Sequence, residues 1–374
     1  PVLFGERDIL KTIQLIPGIK PAGEGNSGFY VRGGAADQNL ILLDEAPVYN
    51  ASHLLGFFST FNSDAIKDVS VYKGGMPAQY GGRLSSVLDI RMNDGNKKEY
   101  TAEGGIGLIS SRLKVEGPLS KDKSSFMISG RRTYADAFLA FSGDSSIKNN
   151  TLYFYDLNAK ANYQIDSKNI LYMSGYFGRD ELGLNETFGF GWGNATATLR
   201  WNHLFSNRLF SNTSLIYSNY DYKIENFLEE NSFKVNSSIR DLNLKQDFQL
   251  SLNNSHNLRF GADLIYHRIR PGEVQPGEKS SINLIAVEDR KGSEIAAYIS
   301  DEWEVNEKLN IVYGLRASSF MLLGPGNFSS FDRSGNVIET SYYPSGKLVK
   351  SYFNLEPRIS AAYQLNEEVS LKGS

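Results

Sequence analysis

Ala195-Thr196-Ala197-Thr198-Leu199-Arg200-Trp201 is the stretch on which the fold turns. Its odd positions are apolar and its even positions polar. Side chains alternate faces along a strand, so the segment has one apolar and one polar face. The same rhythm continues on either side. Leu157, Ala159, Ala161, Tyr163 and Ile165 alternate with Asn158, Lys160, Asn162 and Gln164. Leu258, Phe260, Ala262, Leu264 and Tyr266 oppose Arg259, Gly261, Asp263 and His267, with Ile265 breaking the pattern. Phe353, Leu355, Pro357, Ile359, Ala361, Tyr363 and Leu365 oppose Asn354, Glu356, Arg358 and Ser360.

The connections alternate too. Short polar turns fall near 120–123, 166–169, 206–208, 253–256, 306–308 and 366–368. The links between them are longer, above all 272–292 and 324–350. Loops of that length are uncommon inside compact soluble domains. Several strands, such as 209–228, exceed the roughly 10 residues that a tilted strand needs to cross a bilayer. Twelve strands and the start of a thirteenth at 369–373 can be counted. A soluble β-sandwich also has one polar and one apolar face. Strand length, one-sided long loops, and Tyr, Trp and Phe near strand ends favour a membrane β-barrel with interfacial girdles.

The bulk composition is compatible with that. No run of 18 apolar residues is present, so no transmembrane helix is expected. Barrels hide their hydrophobicity in alternation, and the 35 Gly, 21 Tyr and 22 Phe are residues such a wall uses. The 39 Lys and Arg against 42 Asp and Glu give a net charge of −3, which argues against a nucleic-acid partner. Cysteine is absent, which excludes a disulfide scaffold and thiolate metal sites. The chain opens at Pro1 without a signal peptide, as a mature or trimmed piece would.

The region before residue 97 reads differently. Ile9, Leu10, Ile13 and Ile16 stand at helical spacing, so 6–15 is expected to form a helix ended by Pro17-Gly18. Phe29-Tyr30-Val31-Arg32 reads as a strand stopped by Gly33-Gly34, and 39–43 as a buried strand. Residues 53–61 are apolar and expected to be helical, while 68–73 and 84–92 read as strands. The polar run Asn93-Asp94-Gly95-Asn96-Lys97-Lys98 marks a boundary. Two domains follow: 1–97, a small α+β unit, and 98–374, the alternating strands.

Specific blocks in the first domain carry a family resemblance. Phe29-Tyr30-Val31-Arg32-Gly33-Gly34, then Leu40-Ile41-Leu42-Leu43-Asp44-Glu45-Ala46-Pro47-Val48-Tyr49, then Ala65-Ile66-Lys67-Asp68-Val69-Ser70-Val71-Tyr72-Lys73-Gly74-Gly75 stand in order. Ala78-Gln79-Tyr80-Gly81-Gly82-Arg83 and Ser86-Val87-Leu88-Asp89-Ile90 follow. Together they resemble the plug of TonB-dependent outer-membrane receptors. The opening Leu10-Lys11-Thr12-Ile13-Gln14-Leu15-Ile16-Pro17-Gly18 resembles the Bacteroidetes version. Glu45 departs from the family, which more often has Gly after the Asp, and Lys73 stands where Arg is common. The resemblance covers 1–97 closely and 98–374 as architecture.

The resemblance implies an α+β plug domain followed by an antiparallel transmembrane β-barrel, with 12–13 of an expected 22 strands present. Such a piece, with an open edge in lipid, is not expected to be a stable membrane protein alone. It implies an active transporter in the cell outer membrane, importing a bulky scarce nutrient such as a siderophore, vitamin, glycan or peptide. TonB would engage a segment upstream of Pro1. Outer-membrane lipid and a surface lipoprotein are further partners it admits; no cofactor and no catalytic residue are expected.

The implied cargo site lies on the outward plug loops, with Tyr49, Asn50, Ser52, His53, Gln79, Tyr80 and Arg83 as substrate-binding candidates. Two tyrosines would stack on a ring, and the polar groups would orient it. Arg32, Lys73 and Arg83 are the candidates for plug-to-barrel ion pairs. Arg112, Lys114, Glu116, Lys160, Arg200, Asp263, Glu356 and Arg358 are expected to face inward, since Arg or Lys at the lipid midplane costs about 2–4 kcal/mol. Leu199, Trp201, Phe260, Leu264, Leu355 and Ile359 are expected to face outward.

Other motifs carry less. The 74–83 glycine run lacks the Gly-Lys-Ser/Thr ending of a phosphate loop. His53, His203, His256 and His267 make no close zinc spacing, and no metal site is expected. His267 falls on a lumen-facing position and is a further cargo contact to weigh. Asp332-Arg333-Ser334-Gly335-Asn336 is a fragment of a calcium loop and reads as a turn. A barrel-borne hydrolase and a non-transporting sensor or adhesin remain the rival function classes.

Overall fold

The computed structural model describes residues 2–3, 6–23 and 28–374. The N-terminal unit begins with α1 (Ile9–Ile13), shorter than the hydrophobic spacing suggests. Asp8 caps it by accepting a hydrogen bond from the Lys11 amide at 2.8 Å, and Leu10 and Ile13 face the core. Four strands then form a sheet in the order β2-β1-β4-β3. They are β1 (Asn39–Leu43), β2 (Ala46–Pro47), β3 (Ile66–Tyr72) and β4 (Ser86–Met92). β1 and β4 run parallel and the other pairs antiparallel. β4 is buried almost throughout, as a central strand should be.

The segment expected to be helical at 53–61 is a hairpin instead. Ser52–His53 pairs with Phe58–Ser59 around a tight turn at Leu54–Gly56. Leu54 and Leu55 both adopt left-handed backbone, at φ 47 and 56. The apolar run favoured a helix, but groups outside the unit take its polar atoms and bend it, as described below.

Thirteen antiparallel strands form the second sheet. In order they are β5 (Thr101–Ile106), β6 (Ser110–Ser120), β7 (Ser124–Thr133), β8 (Thr151–Gln164), β9 (Asn169–Leu184) and β10 (Phe188–Ser206). They continue as β11 (Leu209–Asn226), β12 (Phe233–Ser251), β13 (His256–Pro276), β14 (Arg290–Asn306) and β15 (Leu309–Leu323). β16 (Leu348–Gln364) and β17 (Ser370–Gly373) complete it. Each strand pairs with its sequence neighbour. Between β15 and β16 the long connection folds into its own hairpin, Gly326–Phe331 with Val337–Tyr343. Asp332 ties the tip of that hairpin by accepting from the amides of Ser334 and Asn336, so the calcium-like stretch is a turn.

The alternation sorts the faces as expected. Leu199, Trp201, Leu264, Leu355 and Ile359 are exposed on the outer face, the last two at 60% and 65%. Phe260 stacks on Phe248 on that face, with ring centroids 5.2 Å apart. Arg200, Asp263, Glu356 and Arg358 point the other way, toward the N-terminal unit. Near the short-turn ends of the strands, Trp201, Phe205, Phe248, Phe260 and Trp303 form a belt of rings, the pattern of an interfacial girdle. The core lies inside the concavity. Leu43, Val48, Phe61, Leu88, Ile90 and Met92 cluster there, joined by Met127 and Tyr176 from the wall.

Candidate functional site

The tip of the β1–β2 hairpin is a two-residue turn, Asp44-Glu45, with φ of 45 and 74. Positive φ at both positions is the type I′ geometry whose twist suits a hairpin. Asp tolerates it, but Glu at the second position bears a strain of about 1–2 kcal/mol that Gly avoids. The wall offsets that strain. Lys160 Nζ lies 3.1 Å from Asp44, Arg200 Nη1 3.2 Å from Glu45, and Lys245 Nζ 3.8 Å from Glu45. The Thr198 hydroxyl donates to the Asp44 carbonyl at 2.9 Å. Burial alone would raise the Glu45 carboxyl, but Lys245 and Arg200 outweigh it and hold it below its ordinary value.

The Ser52–His53 strand is pinned more tightly. His53 is 1% exposed, with Nε2 at 3.0 Å from Asp156 of β8 and Nδ1 at 2.6 Å from Asp180 of β9. Both ring nitrogens donate to carboxylates, so the ring carries two protons and a positive charge. Burial pulls its pKa down, yet Asp180 and Asp156 together push it above the usual histidine value. Its ring stacks on Phe154 at 4.0 Å, and Arg131 lies over the same phenyl ring while donating to Asp156. Asp180 also accepts from the Leu54 amide at 2.8 Å, and Arg131 donates to the Ser59 carbonyl at 2.8 Å. These bonds impose the hairpin where the sequence pattern suggested a helix.

The third contact is the 74–83 loop. Arg358 Nη1 donates to the Pro77 and Tyr80 carbonyls at 2.6 and 2.7 Å. Arg316, 2% exposed, pairs with Asp263 at 3.2 Å and Glu294 at 3.4 Å and lies flat against Gly81. A Cβ on Gly81 would stand 2.4 Å from Arg316 Nε, so only glycine permits this approach.

Between the turn, this loop and β11 to β15 lies a cavity of about 110 Å³. Its inner side is formed by Leu40, Pro47, Tyr49, Gln79, Tyr80 and Arg83. Its wall side follows from strand register. Ser218, Asp241 and His267 stand opposite one another on one row, and Ile216, Asn243, Ile265 and Glu294 on the next. Tyr49 donates its hydroxyl to Asp241, whose other oxygen meets His267 Nδ1 at 2.7 Å. Burial and the Asp241 charge raise the Tyr49 phenol well above its ordinary pKa, so it stays a donor. Tyr80 donates to Asp89 at 2.9 Å. Buried Gln79 Oε1, Asp263 Oδ1 and Arg316 Nε have no partner, the mark of a site that holds water or a ligand.

The structure divides the sequence-derived candidates. Tyr49, Gln79, Tyr80 and Arg83 converge on the cavity, and His267 joins them from the wall. Asn50 and Ser52 instead meet β10: Asn194 donates to the Asn50 carbonyl, and Trp192 to the Ser52 carbonyl. His53 is sealed between Asp156 and Asp180. The three cations assigned to wall ion pairs are placed otherwise. Lys73 donates to the Pro17 carbonyl, Arg83 to the Gly82 carbonyl, and the Arg32 side chain packs along Gly18 and Gly74. Among the described residues, His53 with Asp156 and Asp180 apart, the inter-domain pairs have the opposite polarity. The inner unit supplies Asp44, Glu45, Asp64 and Asp94, and the wall supplies Lys160, Arg200, Lys245 and Arg112. The expected inward set behaves accordingly, with Lys114 and Glu116 paired to each other at 3.5 Å. Asp156, Asp180, Asp241, Lys245 and Arg316 were not singled out, although they stand on the inward register of their strands.

A small mixed unit seated on the polar, concave face of a long-stranded wall whose convex face is apolar defines a plugged outer-membrane barrel. The TonB-dependent Receptor Plug Domain family matches residues 4–86, and the TonB dependent receptor-like, beta-barrel family matches residues 125–374. The second match spans more than half of the chain, and the chain belongs to the TonB-dependent receptor family of the outer membrane. Solved structures agree in fold. A mutant of the ferric enterobactin receptor PfeA from Pseudomonas aeruginosa matches with a TM-score of 0.66 at 17% identity, over 98% of this chain and 58% of that one. The siderophore receptor PirA from Acinetobacter baumannii matches at 0.68 and 17%, over 98% and 58%. The FrpB iron transporter from Neisseria meningitidis matches at 0.68 and 15%, over 100% and 63%. This chain thus spans about three-fifths of the length of these structures. No curated protein matches it in sequence.

Proposed function

We propose that residues 1–97 are the plug and 98–374 part of the barrel wall of a TonB-dependent active transporter for a bulky, scarce solute. The observation that carries the cargo reading is the cavity where Tyr49, Gln79, Tyr80 and Arg83 of the plug meet His267 and Asp241 of the wall. Two phenol rings and the apolar Leu40, Pro47, Ile216 and Ile265 supply contact area, and a few polar groups supply direction, as small-molecule sites do. Lys245 and Arg316 are committed to carboxylates, whereas among the described residues Arg83 hydrogen-bonds its neighbour's carbonyl and no carboxylate. A cavity of about 110 Å³ admits one ring or anionic group at the tip of a larger ligand, and a ferric siderophore can present such a tip. The similar structures include siderophore receptors, which agrees with that choice over glycan, vitamin or peptide. TonB, acting on an upstream segment and driven by the proton gradient, would release the plug. A surface lipoprotein is a further candidate partner for the glycan and peptide alternatives.

The test is cargo binding by the full-length protein carrying Tyr49→Ala and Tyr80→Ala together. Losing two stacking contacts predicts a drop on the order of tenfold or more in affinity, about 1.4 kcal/mol per tenfold, with the barrel still folded. Unchanged affinity would place the site elsewhere.

A further inference from the structure

The cargo cavity has a companion on the same seam between plug and wall. A second cavity of about 230 Å³ lies further toward the short-turn ends of the strands. It is lined by Asp89 and Arg91 of the plug and by Asn202, Asn212, Asp247 and Arg259 of the wall. Leu42, Glu45, Tyr80 and Lys245 line both cavities. Register shows how they stack. Asn243 faces the first cavity and Asp247 the second, four residues apart on β12, or roughly 13 Å at a strand's rise. The row between them is Arg200, Ser214, Lys245 and Asp263. The Glu45 carboxylate sits on that row, held by Arg200 and Lys245, and the Tyr80 ring lies 5.9 Å from Lys245 Nζ.

Both cavities present buried polar atoms. Asn243 Oδ1 and Asp263 Oδ1 in the first, and Asn202 Oδ1, Asn212 Oδ1 and Asp247 Oδ2 in the second, are buried without a partner. Cavities lined by such atoms hold water. The partition is therefore a layer of side chains across a hydrated seam. Its central member occupies a left-handed position, φ 74, that glycine would take without strain. A strained backbone kept for its side chain is a mark of function.

We infer that Glu45 is a closure residue of this chain: its carboxylate, spanning to Arg200 and Lys245, separates the cargo cavity from the inner one and closes a passage along β10 to β13. Movement of the Asp44-Glu45 turn by a fraction of its length joins the two cavities without expelling the plug. The inference rests on the outer cavity being the cargo side, but its test uses no cargo.

The experiment is ion conductance of the full-length transporter in planar lipid bilayers, without TonB. Wild type is expected to be nearly insulating. Glu45→Gly relieves the turn, removes the partition, and is expected to raise conductance on the order of tenfold, as removal of a constriction does. Asn243→Cys and Asn212→Cys, each added to Glu45→Gly, then report the route. A charged thiol reagent is expected to reduce the current at both positions. Wild-type conductance in Glu45→Gly overturns the inference. So does a raised current that the reagent leaves untouched at both positions, since a loosened plug would leak elsewhere. Block at Asn212→Cys alone also overturns it, because the passage would then bypass the cargo cavity. Failure of the cargo reading shows separately, as unchanged affinity in the tyrosine double variant.

Discussion

Two sides of the plug meet the same wall in different ways. Against β7 to β9, His53 is enclosed by Asp156, Asp180, Arg131 and Phe154 and is 1% exposed. Against β10 to β15, charged groups also pair, but they border two cavities. Low dielectric makes the first set strong and costly to break, while the second has free volume beside it. The difference teaches that the plug is fastened on one side and left able to move on the other. A pull on its N-terminal end would then open the hydrated side first.

The largest expected effect tests the fastening. His53→Ala leaves Asp156 and Asp180 buried without their shared donor, which should cost plug stability about 3–5 kcal/mol. Denaturant unfolding of the full-length protein, followed by a plug-borne probe, measures it. A cost near zero would dissolve the contrast between the two sides. The same histidine gives a pH signature. Its pKa is raised in the folded protein, so its stabilisation is fully present below the unfolded value of about 6.5. It is lost as pH rises through the raised value. Plug stability should therefore fall on that upward path, and His53→Gln should flatten the slope.

The next effect sharpens the close approach on the other side. Gly81→Ala places a Cβ 2.4 Å from Arg316 Nε. Arg316 is buried and tethered to Asp263, so overpacking of about 1–3 kcal/mol is expected. A thermal melt unchanged from wild type would show that the loop yields freely. The smallest effect belongs to Lys245→Met. Glu45 keeps Arg200 as a partner and Lys245 stands 3.8 Å away, so the cost should be about 1 kcal/mol or less. A loss as large as that of His53→Ala would mean that the seam is as dry as the anchor.

Much of this was legible in the sequence, for a physical reason. A strand repeats every two residues, so Leu199, Arg200 and Trp201 declare inside and outside without further help. The same rule, applied along β12, would have found Asp241 and Lys245 on either side of the exposed Leu242 and Leu244. The helix expected at 53–61 failed because its shape is set by Asp156 and Asp180, more than a hundred residues away. Local apolar spacing carries no trace of such partners. The polarity of the inter-domain pairs was hidden likewise. Arg32, Lys73 and Arg83 sit in conspicuous glycine-rich motifs, while the acids that bridge to the wall, Asp44 and Glu45, occupy a turn whose direction only the fold reveals.

Amide hydrogen exchange of the full-length protein tests the two-sided account most directly. In the anchored hairpin the amides of Leu54, Ser59 and Thr60 donate to Asp180, Asp8 and the Ala51 carbonyl. In the 79–83 loop the wall arginine takes carbonyls instead, and among the described residues only the Tyr80 amide has a partner. Exchange at 52–60 should be slow and should quicken in His53→Ala, while 79–83 exchanges fast in both. Slow exchange at 79–83 together with fast exchange at 52–60 would contradict the account.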